Sequence, residues 1–298
     1  MKNGLIIKLI GGLYTVLDEN NQPHKLKARG KFRYIKQSPK VGDRVLFDED
    51  FIKEVKERKN NLVRPPICNI DQALLINSAK EPDFSFNLLD RFLVTIENED
   101  ITPVIIVTKI DLLNKEELED LKNKMKYYET FYHVVFLSSK TKENVEAISE
   151  LFKDKISVFA GQTGAGKSSL LNAMVPEFNL ETNEISKALG RGKHTTRHSE
   201  LLPVFGGLIA DTPGFSKLDF FNIDLDNVPI NYVDFFELSN QCKFRACKHL
   251  DEPKCKVKEE LEKGNILPSR YKNYKIIYDE IKNQKIKYTA IKNAKTKY

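Results

Sequence analysis

A glycine-rich segment in the middle of the chain has the residue types and spacing of a phosphate-binding loop. The segment GQTGAGKSS at 161–169 follows the apolar run ISVFAG and precedes the helical pattern SLLNAMV. Glycines let backbone N–H groups turn toward phosphates, and the start of a helix adds partial positive charge. Lys167 is expected to reach the β- and γ-phosphates, and Ser168 to ligate Mg²⁺. Because a strand and a helix flank it, the segment is a specific prediction of nucleotide binding. The predicted contacts are Gly161, Gln162, Thr163, Gly164, Ala165, Gly166, Lys167, Ser168 and Ser169.

Two other segments predict which base this site accepts. TKID ends one apolar run at 108–111, and SSK ends the next at 138–140. The Asp111 carboxylate can accept hydrogen bonds from the two N–H donors on the edge of guanine, which adenine lacks. The stem of Lys109 can cover the base, and SSK resembles the third guanine-contacting loop of GTPases. GTP is therefore the expected nucleotide. The predicted base-contacting residues are Thr108, Lys109, Asp111, Ser138, Ser139 and Lys140.

Segments after the phosphate-binding loop supply candidates for contacting Mg²⁺ and the γ-phosphate. DTPG follows the apolar run GLIA, so Asp211 is expected at a strand end near Mg²⁺ and the Gly214 N–H near the γ-phosphate. Between the two motifs, GRGKHTTRH at 190–198 offers Thr195 and Thr196 to close over the metal and phosphate, although an ordinary basic loop is the alternative. The predicted magnesium ligands are Ser168, Thr196 and Asp211.

The order of these motifs is unusual. The base-contacting segments precede the phosphate-binding loop, whereas ordinary GTPases begin with that loop. A circularly permuted GTPase explains this order. Permutation is physically permissible because the termini of natural domains tend to lie on the surface and close together.

Three of the four cysteines lie near a histidine in CKFRACKHLDEPKC. Four soft ligands within 14 positions suit a tetrahedral structural Zn²⁺, one ion per chain, with no open coordination position. Free buried thiols beside a surface histidine are the alternative. The predicted zinc ligands are Cys242, Cys247, His249 and Cys255, whereas Cys68 stands alone and is expected to be a structural thiol.

The surrounding sequence predicts a multidomain protein that positions these motifs. Residues 1–65 contain five short apolar runs separated by turns, which favours an OB-type β-barrel. Residues 66–225 alternate strands and helices, which indicates an α/β domain with a parallel sheet and ligands at the carboxyl ends of its strands. Residues 226–298 are expected to form a mainly helical zinc-binding domain. Its last helix has an apolar stripe expected to pack into the core: Tyr271, Tyr274, Tyr278 and Ile281.

Composition and charge narrow the class of protein. Of 298 residues, 41% are hydrophobic and 30% charged, which excludes a mainly disordered or collagen-like chain. Residues 1–62 and 271–298 each carry a net charge of +6, and the residues between them carry −6. Basic ends favour a polyanionic partner, with a lysine-rich solvated surface as the alternative.

In ARGKFRY at 28–34, cations alternate with two aromatics. This pattern suits stacking on bases or, equally, a turn whose aromatic side chains pack in the core. Those residues are Arg29, Lys31, Phe32, Arg33 and Tyr34.

The sequence also predicts the cellular compartment of the protein. No apolar run has the length that a membrane helix needs, and the run near Met1 is too short and too broken by Lys8 for a signal peptide. A cytoplasmic protein is expected, with no membrane partner.

The assembled pattern closely resembles the RsgA (YjeQ) family of bacterial GTPases that depend on the small ribosomal subunit. The most specific elements are LGRGKHTTRH and the zinc spacing, joined to DTPGF and the permuted motif order, and the resemblance covers nearly the whole chain. It implies a GTPase stimulated by the small subunit, acting in late maturation of that subunit through contacts with its rRNA. Nothing in the sequence suggests an obligate dimer, so a monomer is expected.

Two positions depart from common GTPase patterns. Thr108 stands where many GTPases carry Asn, and Phe215 stands where a water-orienting Gln often lies. His194, beside the switch threonines, is then the candidate catalytic residue, and the resemblance supports this role, with a plain loop histidine as the alternative.

Two other functional classes are alternatives to a GTPase of this family. A nucleic-acid-binding scaffold with a structural nucleotide is the first, and the full set of phosphate motifs argues against it. A metabolic kinase is the second, and the guanine motifs oppose it.

Overall fold

The computed structural model describes residues 1–30, 32, 38–62, 66–175, 200–211, 220 and 223–295, with the backbone alone for Asp211 and for 285–295. Within these ranges, eleven strands form one continuous hydrogen-bonded sheet that closes into a barrel at one end. The candidate residues Lys31, Arg33, Tyr34, His194, Thr195, Thr196, Gly214 and Phe215 lie outside the described residues.

The N-terminal strands form the closed five-stranded barrel that the sequence predicts. Strand β3 runs parallel to β5, the other pairs are antiparallel, and β1 pairs with both β2 and β4, which closes the ring. Alternate side chains such as Ile6, Val16 and Ile52 are fully buried inside it. The strand bounds are β1 Lys2–Ile10, β2 Leu13–Asp18, β3 Pro23–Ala28, β4 Arg44–Phe47 and β5 Phe51–Val55.

The structure shows the surroundings of two residues near the barrel, Phe32 and Cys68. Phe32 is only 4% exposed and belongs to the core, so its ring packs and is not available to stack on a base. The Cys68 thiol is fully buried and donates to Asp43 Oδ1 at 3.0 Å. Burial and the adjacent carboxylate raise the pKa of this thiol, as expected for a structural cysteine.

The central part of the sheet is parallel except for its antiparallel strand β10, which joins the barrel to the rest of the sheet. Every residue of β6 is buried, as expected for a parallel strand covered on both faces. The strand order is β10, β11, β9, β6, β7, β8. The bounds are β6 Gln72–Ser78, β7 Thr102–Thr108, β8 His133–Phe136, β9 Ile156–Ala160, β10 Glu200–Val204 and β11 Gly207–Asp211.

Three helices accompany this sheet: α1 Phe86–Glu97, α2 Lys115–Glu129 and α3 Lys167–Met174. Ser85 caps α1, and a capping box of Asn114 and Glu117 begins α2. The connection between β8 and β9 contains a 3-10 helix at Glu146–Phe152. Lys142 and Asn144 have positive φ angles, which do not fit a right-handed helix. The helix can therefore begin only after them.

Residues after β11 build a helical region against α1. Its helices are α4 Val233–Ser239, α5 Lys256–Glu262 and the long α6 Pro268–Lys295. The predicted stripe of α6 does pack into the core, since Tyr274 and Ile281 are fully buried and Tyr278 is 7% exposed. Each helix within the described part of the chain is too short or too polar to cross a lipid bilayer.

Candidate nucleotide and metal sites

The phosphate-binding loop begins where β9 ends, at the carboxyl edge of the parallel sheet. Gly161 has a φ of 134°, and a Cβ there would lie 2.2 Å from the carbonyl oxygen of Ile76 on β6. A side chain at this position would therefore collide with backbone. Gly166, with a φ of 94°, is the N-cap of α3, so the loop ends at the positive end of that helix.

Lys167 is the first residue of α3, and its side chain folds back onto the loop. Its Nζ donates to the carbonyl oxygens of Gly161 at 2.7 Å and Gln162 at 2.6 Å. Burial lowers the pKa of this ammonium to about 8. Most of this ammonium is still charged at neutral pH, and an anion placed beside it would raise the pKa again, because an opposite charge favours the charged form. Ser168 is buried at 7% exposure in the first turn of α3, where a magnesium-ligating hydroxyl is expected.

The structure brings the predicted base-contacting segments onto the same edge of the sheet. The Thr108 hydroxyl, at the end of β7, donates to the Ala165 carbonyl at 2.6 Å, which ties this strand to the phosphate-binding loop. Ser138 is fully buried, and its hydroxyl donates to Asp111 Oδ1 at 2.5 Å. This bond fixes the carboxylate, while Asp111 Oδ2 has no hydrogen bond among the described residues. Ser139 is half-buried beside Ser138, and Lys140 is exposed.

Two contacts at this edge were not foreseen from the sequence. Lys109 has a positive φ of 58°, and its Nζ donates to the carbonyl oxygen of Glu81 in the loop between β6 and α1. Pro82 Cδ lies 3.7 Å from where a Cβ on Gly164 would stand. That loop is therefore a further wall of the candidate site. Every residue type supplies a backbone carbonyl, so the residue types do not predict this contact. The only indication in the sequence is that the loop follows a buried strand.

The strand β11 is parallel to β9, so Asp211 ends on the same edge as the phosphate-binding loop. Only the backbone of Asp211 is described, so its contact with Mg²⁺ stays a prediction. The other predicted switch residues are outside the described ranges.

The four predicted zinc ligands come together in the helical region. Their ligand atoms all lie within 4.8 Å of one another. His249 Nδ1 is 3.7 Å from Cys242 Sγ and 3.4 Å from Cys255 Sγ. Tetrahedral zinc with ordinary bond lengths separates a sulfur and a nitrogen ligand by about 3.6 Å. The cluster therefore fits a closed structural zinc site.

The surroundings of this cluster also suit a metal. Burial raises the pKa of the Cys247 thiol to about 12 and lowers that of His249 to about 4. The imidazole is thus neutral and ready to ligate, while the thiol needs a metal to take the place of its proton. The Lys256 backbone N–H donates to Cys242 Sγ at 3.3 Å, a bond that supports a thiolate.

Comparison with known proteins agrees with this geometry. Residues 3–54 match the RsgA N-terminal domain, and residues 55–221 match the RsgA GTPase family. The small ribosomal subunit biogenesis GTPase RsgA of Bacillus subtilis strain 168 is 49% identical over 291 residues, covering 94% of this chain and 98% of the relative. The protein named small ribosomal subunit biogenesis GTPase RsgA 2 of Oceanobacillus iheyensis is 49% identical over 287 residues, with the same coverage of each chain.

Solved structures give the same result. The crystal structure of YloQ, a circularly permuted GTPase, superposes with a TM-score of 0.82 at 43% identity and covers 95% of this chain and 96% of its own. YjeQ from Thermotoga maritima superposes with a TM-score of 0.84 at 36% identity, with 94% and 98% coverage. The family resemblance predicted from the motifs is confirmed, and this chain belongs to the RsgA family of circularly permuted GTPases.

Proposed function

We propose that this chain binds GTP at the carboxyl edge of its central sheet, hydrolyses it to GDP and phosphate, and acts in maturation of the small ribosomal subunit. The observation that carries the guanine assignment is the Ser138 hydroxyl, which fixes the Asp111 carboxylate beside a strand that is itself tied to the phosphate-binding loop. The relatives that cover 94% of the chain bear the name small ribosomal subunit biogenesis GTPase. The proposed site of action is the cytoplasm, and the proposed state is a monomer.

The proposed roles follow the sequence motifs. Lys167 and the loop N–H groups hold the phosphates, and Asp111 selects guanine through its N–H donors. Ser168, Thr196 and Asp211 are the residues that would hold Mg²⁺, which when bound neutralises charge on the phosphate oxygens. His194 is proposed to orient the attacking water, because Phe215 has no group to do so. The remaining predicted contacts, including Thr195 and Gly214, keep their proposed nucleotide-binding roles.

We further propose a division into domains at 1–65, 66–225 and 226–298. The barrel and the zinc-binding domain are proposed to contact the subunit and its rRNA. Zinc is proposed as a structural ion, since four protein ligands leave no open position for a substrate.

The test is GTP turnover by the purified zinc-loaded protein, alone and with purified small subunits. Large subunits and free RNA are the matched controls. Stimulation by small subunits alone is expected. Slow turnover that none of these additions changes would favour a nucleic-acid-binding scaffold with a structural nucleotide.

A substitution at His194 tests the proposed role of this residue separately. His194→Ala is expected to abolish the stimulated turnover while binding GTP with nearly unchanged affinity. Stimulated turnover equal to that of the unsubstituted protein would remove His194 from the mechanism.

A further inference from the structure

A cavity of about 470 Å³ lies at the amino edge of the parallel sheet, opposite the edge that carries the phosphate-binding loop. Gln72, Thr102 and His133, the first residues of β6, β7 and β8, line it. Its volume is within the range of small-molecule sites in proteins. The described part of the chain therefore has a concave site that is separate from the nucleotide site.

The wall of this cavity at the end of α1 is acidic. Glu97 is the last residue of that helix, Asp100 follows three positions later, and the last turn contains no basic residue. The carboxyl end of a helix carries partial negative charge, which adds to that of the two carboxylates. No ion pair between described residues includes Glu97 or Asp100, because the hydrogen bonds of the nearby Arg270 go to Asp90 and Asp234. This wall therefore suits a cationic group of a ligand.

The hydroxyl of Tyr132 is independent evidence for a ligand at this wall. The Tyr132 side chain lines the cavity at 7% exposure, and its hydroxyl oxygen is buried. It lies close enough to Glu97 and Arg270 to interact electrostatically with both, yet it makes no hydrogen bond to a described residue. A buried hydroxyl without a partner is costly, because no hydrogen bond replaces its lost hydration. An ammonium group that donates to the tyrosine oxygen and to the Glu97 carboxylate would satisfy both.

Two lysines also line the cavity, near the start of β6. Lys155 Nζ donates to the side-chain oxygen of Gln72 at 3.2 Å and forms no ion pair with a described residue. Lys59 Nζ lies 3.7 Å from Asp71 Oδ1, so its charge is already compensated. Neither lysine forms an ion pair with the acidic wall. Lys155 is therefore the cation that suits an anionic group of a ligand.

Most of the remaining lining is apolar and suits an aliphatic chain. We propose that this cavity binds a linear amino carboxylate, whose ammonium group contacts Glu97 and Tyr132 and whose carboxylate contacts Lys155. A single lysine balances one negative charge, which favours a carboxylate over a phosphate dianion. A diamine would satisfy the acidic wall but would place a second ammonium group beside the lysines. The apolar residues are Ile101, Pro103, Val104, Phe131 and Leu151.

The test uses the full zinc-loaded protein and linear ω-amino acids from γ-aminobutyrate to ε-aminocaproate, with affinity measured by isothermal titration calorimetry. Hexylamine and caproate, each of which keeps one charged end, are the controls. The tightest amino acid is expected to bind about tenfold or more tightly than either control, the effect of one hydrogen bond between charged groups. Backbone NMR shifts are expected at Thr102 and His133 and not in the phosphate-binding loop.

Substitutions separate the two ends of the ligand. Glu97→Gln keeps the side-chain size and is expected to weaken binding of the tightest amino acid about tenfold or more, and Tyr132→Phe about fivefold. Lys155→Gln is expected to weaken it about tenfold as well, while affinity for hexylamine stays unchanged. Glu99→Gln is the matched control, because Glu99 is half-buried in the same acidic segment but does not line the cavity. Its affinity is expected to equal that of the unsubstituted protein, and circular dichroism checks that each variant is folded.

Three outcomes overturn the proposal. If no amino acid of the series binds, the cavity holds water only. If hexylamine binds as tightly as the amino acids and Lys155→Gln changes no affinity, the cavity is an amine site instead. NMR shifts confined to the phosphate-binding loop would place the ligand in the nucleotide site. The cavity contains none of the proposed nucleotide or zinc ligands, so each result is independent of the proposed function.

Discussion

Arg270 is the residue whose replacement most directly tests how the helical region is attached to the central sheet. It lies on α6 at 1% exposure, and its Nη1 donates to Asp90 Oδ1 on α1 at 2.5 Å. Nη2 and Nε donate to the two oxygens of Asp234 at 2.9 and 3.1 Å. The guanidinium also lies 4.3 Å from the ring centroid of Tyr232. One cation therefore joins carboxylates from two different parts of the chain.

Arg270→Met keeps much of the side-chain volume but leaves Asp90 and Asp234 buried without their cation. Their exposures are 0% and 3%. Removing one partner of a buried ionic group costs about 3 to 5 kcal/mol of unfolding free energy, because an uncompensated charge remains inside. Burial already raises the pKa of Asp90, and Arg270 opposes that rise. The loss should thus be greatest at neutral pH and smaller in acid, where protonation of Asp90 removes its buried charge.

The assay is urea unfolding followed by circular dichroism at pH 7 and pH 5. Arg44→Met, at an exposed arginine of the barrel, is the control and is expected to stay within about 0.5 kcal/mol of the unsubstituted protein. Adding Asp90→Asn and Asp234→Asn to Arg270→Met is expected to recover most of the loss, since no buried charge remains. A loss below about 1 kcal/mol for Arg270→Met alone would refute the reasoning.

Three other predictions concern the phosphate-binding loop, the metal cluster and an acidic group. Gly161→Ala places a Cβ 2.2 Å from the Ile76 carbonyl oxygen and is expected to lower affinity for a fluorescent GDP analogue at least about tenfold. Gly12→Ala, with positive φ in open space, is the control, and equal affinity in both variants would contradict the prediction. Cys255→Ser is expected to lose zinc and lower the melting temperature, measured by metal analysis and circular dichroism, because metal binding stabilises such a fold. Full zinc content in this variant would exclude Cys255 as a ligand. Burial raises the pKa of Glu97 to about 7, with Tyr132 and Arg270 opposing and Asp100 and Asp234 adding to the rise. The folded state then holds a proton that the unfolded state releases, so stability should fall by at most about 3 kcal/mol as pH rises from about 4.5 to 7. Glu97→Gln should flatten urea midpoints across that window, and an unaltered pH dependence would disprove the assignment.

Features encoded within a short stretch of the chain could be predicted from the sequence. The phosphate-binding loop is nine consecutive residues between a strand and a helix, and the four metal ligands lie within 14 positions. In both cases, the spacing along the chain already limits where the side chains can lie. Strand alternation in the barrel and the stripe of α6 were predictable for the same reason, since each follows the period of its own element.

Contacts between elements that are distant in sequence could be found only in the folded structure. Thr108 and Ala165 are 57 residues apart, and Arg270 and Asp90 are 180 apart, so no local pattern could pair them. The Glu81 carbonyl that holds Lys109 is backbone, which carries no residue-type signal. The burial of Phe32 depends on how the barrel closes around it. Pairing and burial of this kind are fixed by the packing of complete elements, which spacing along one element does not specify.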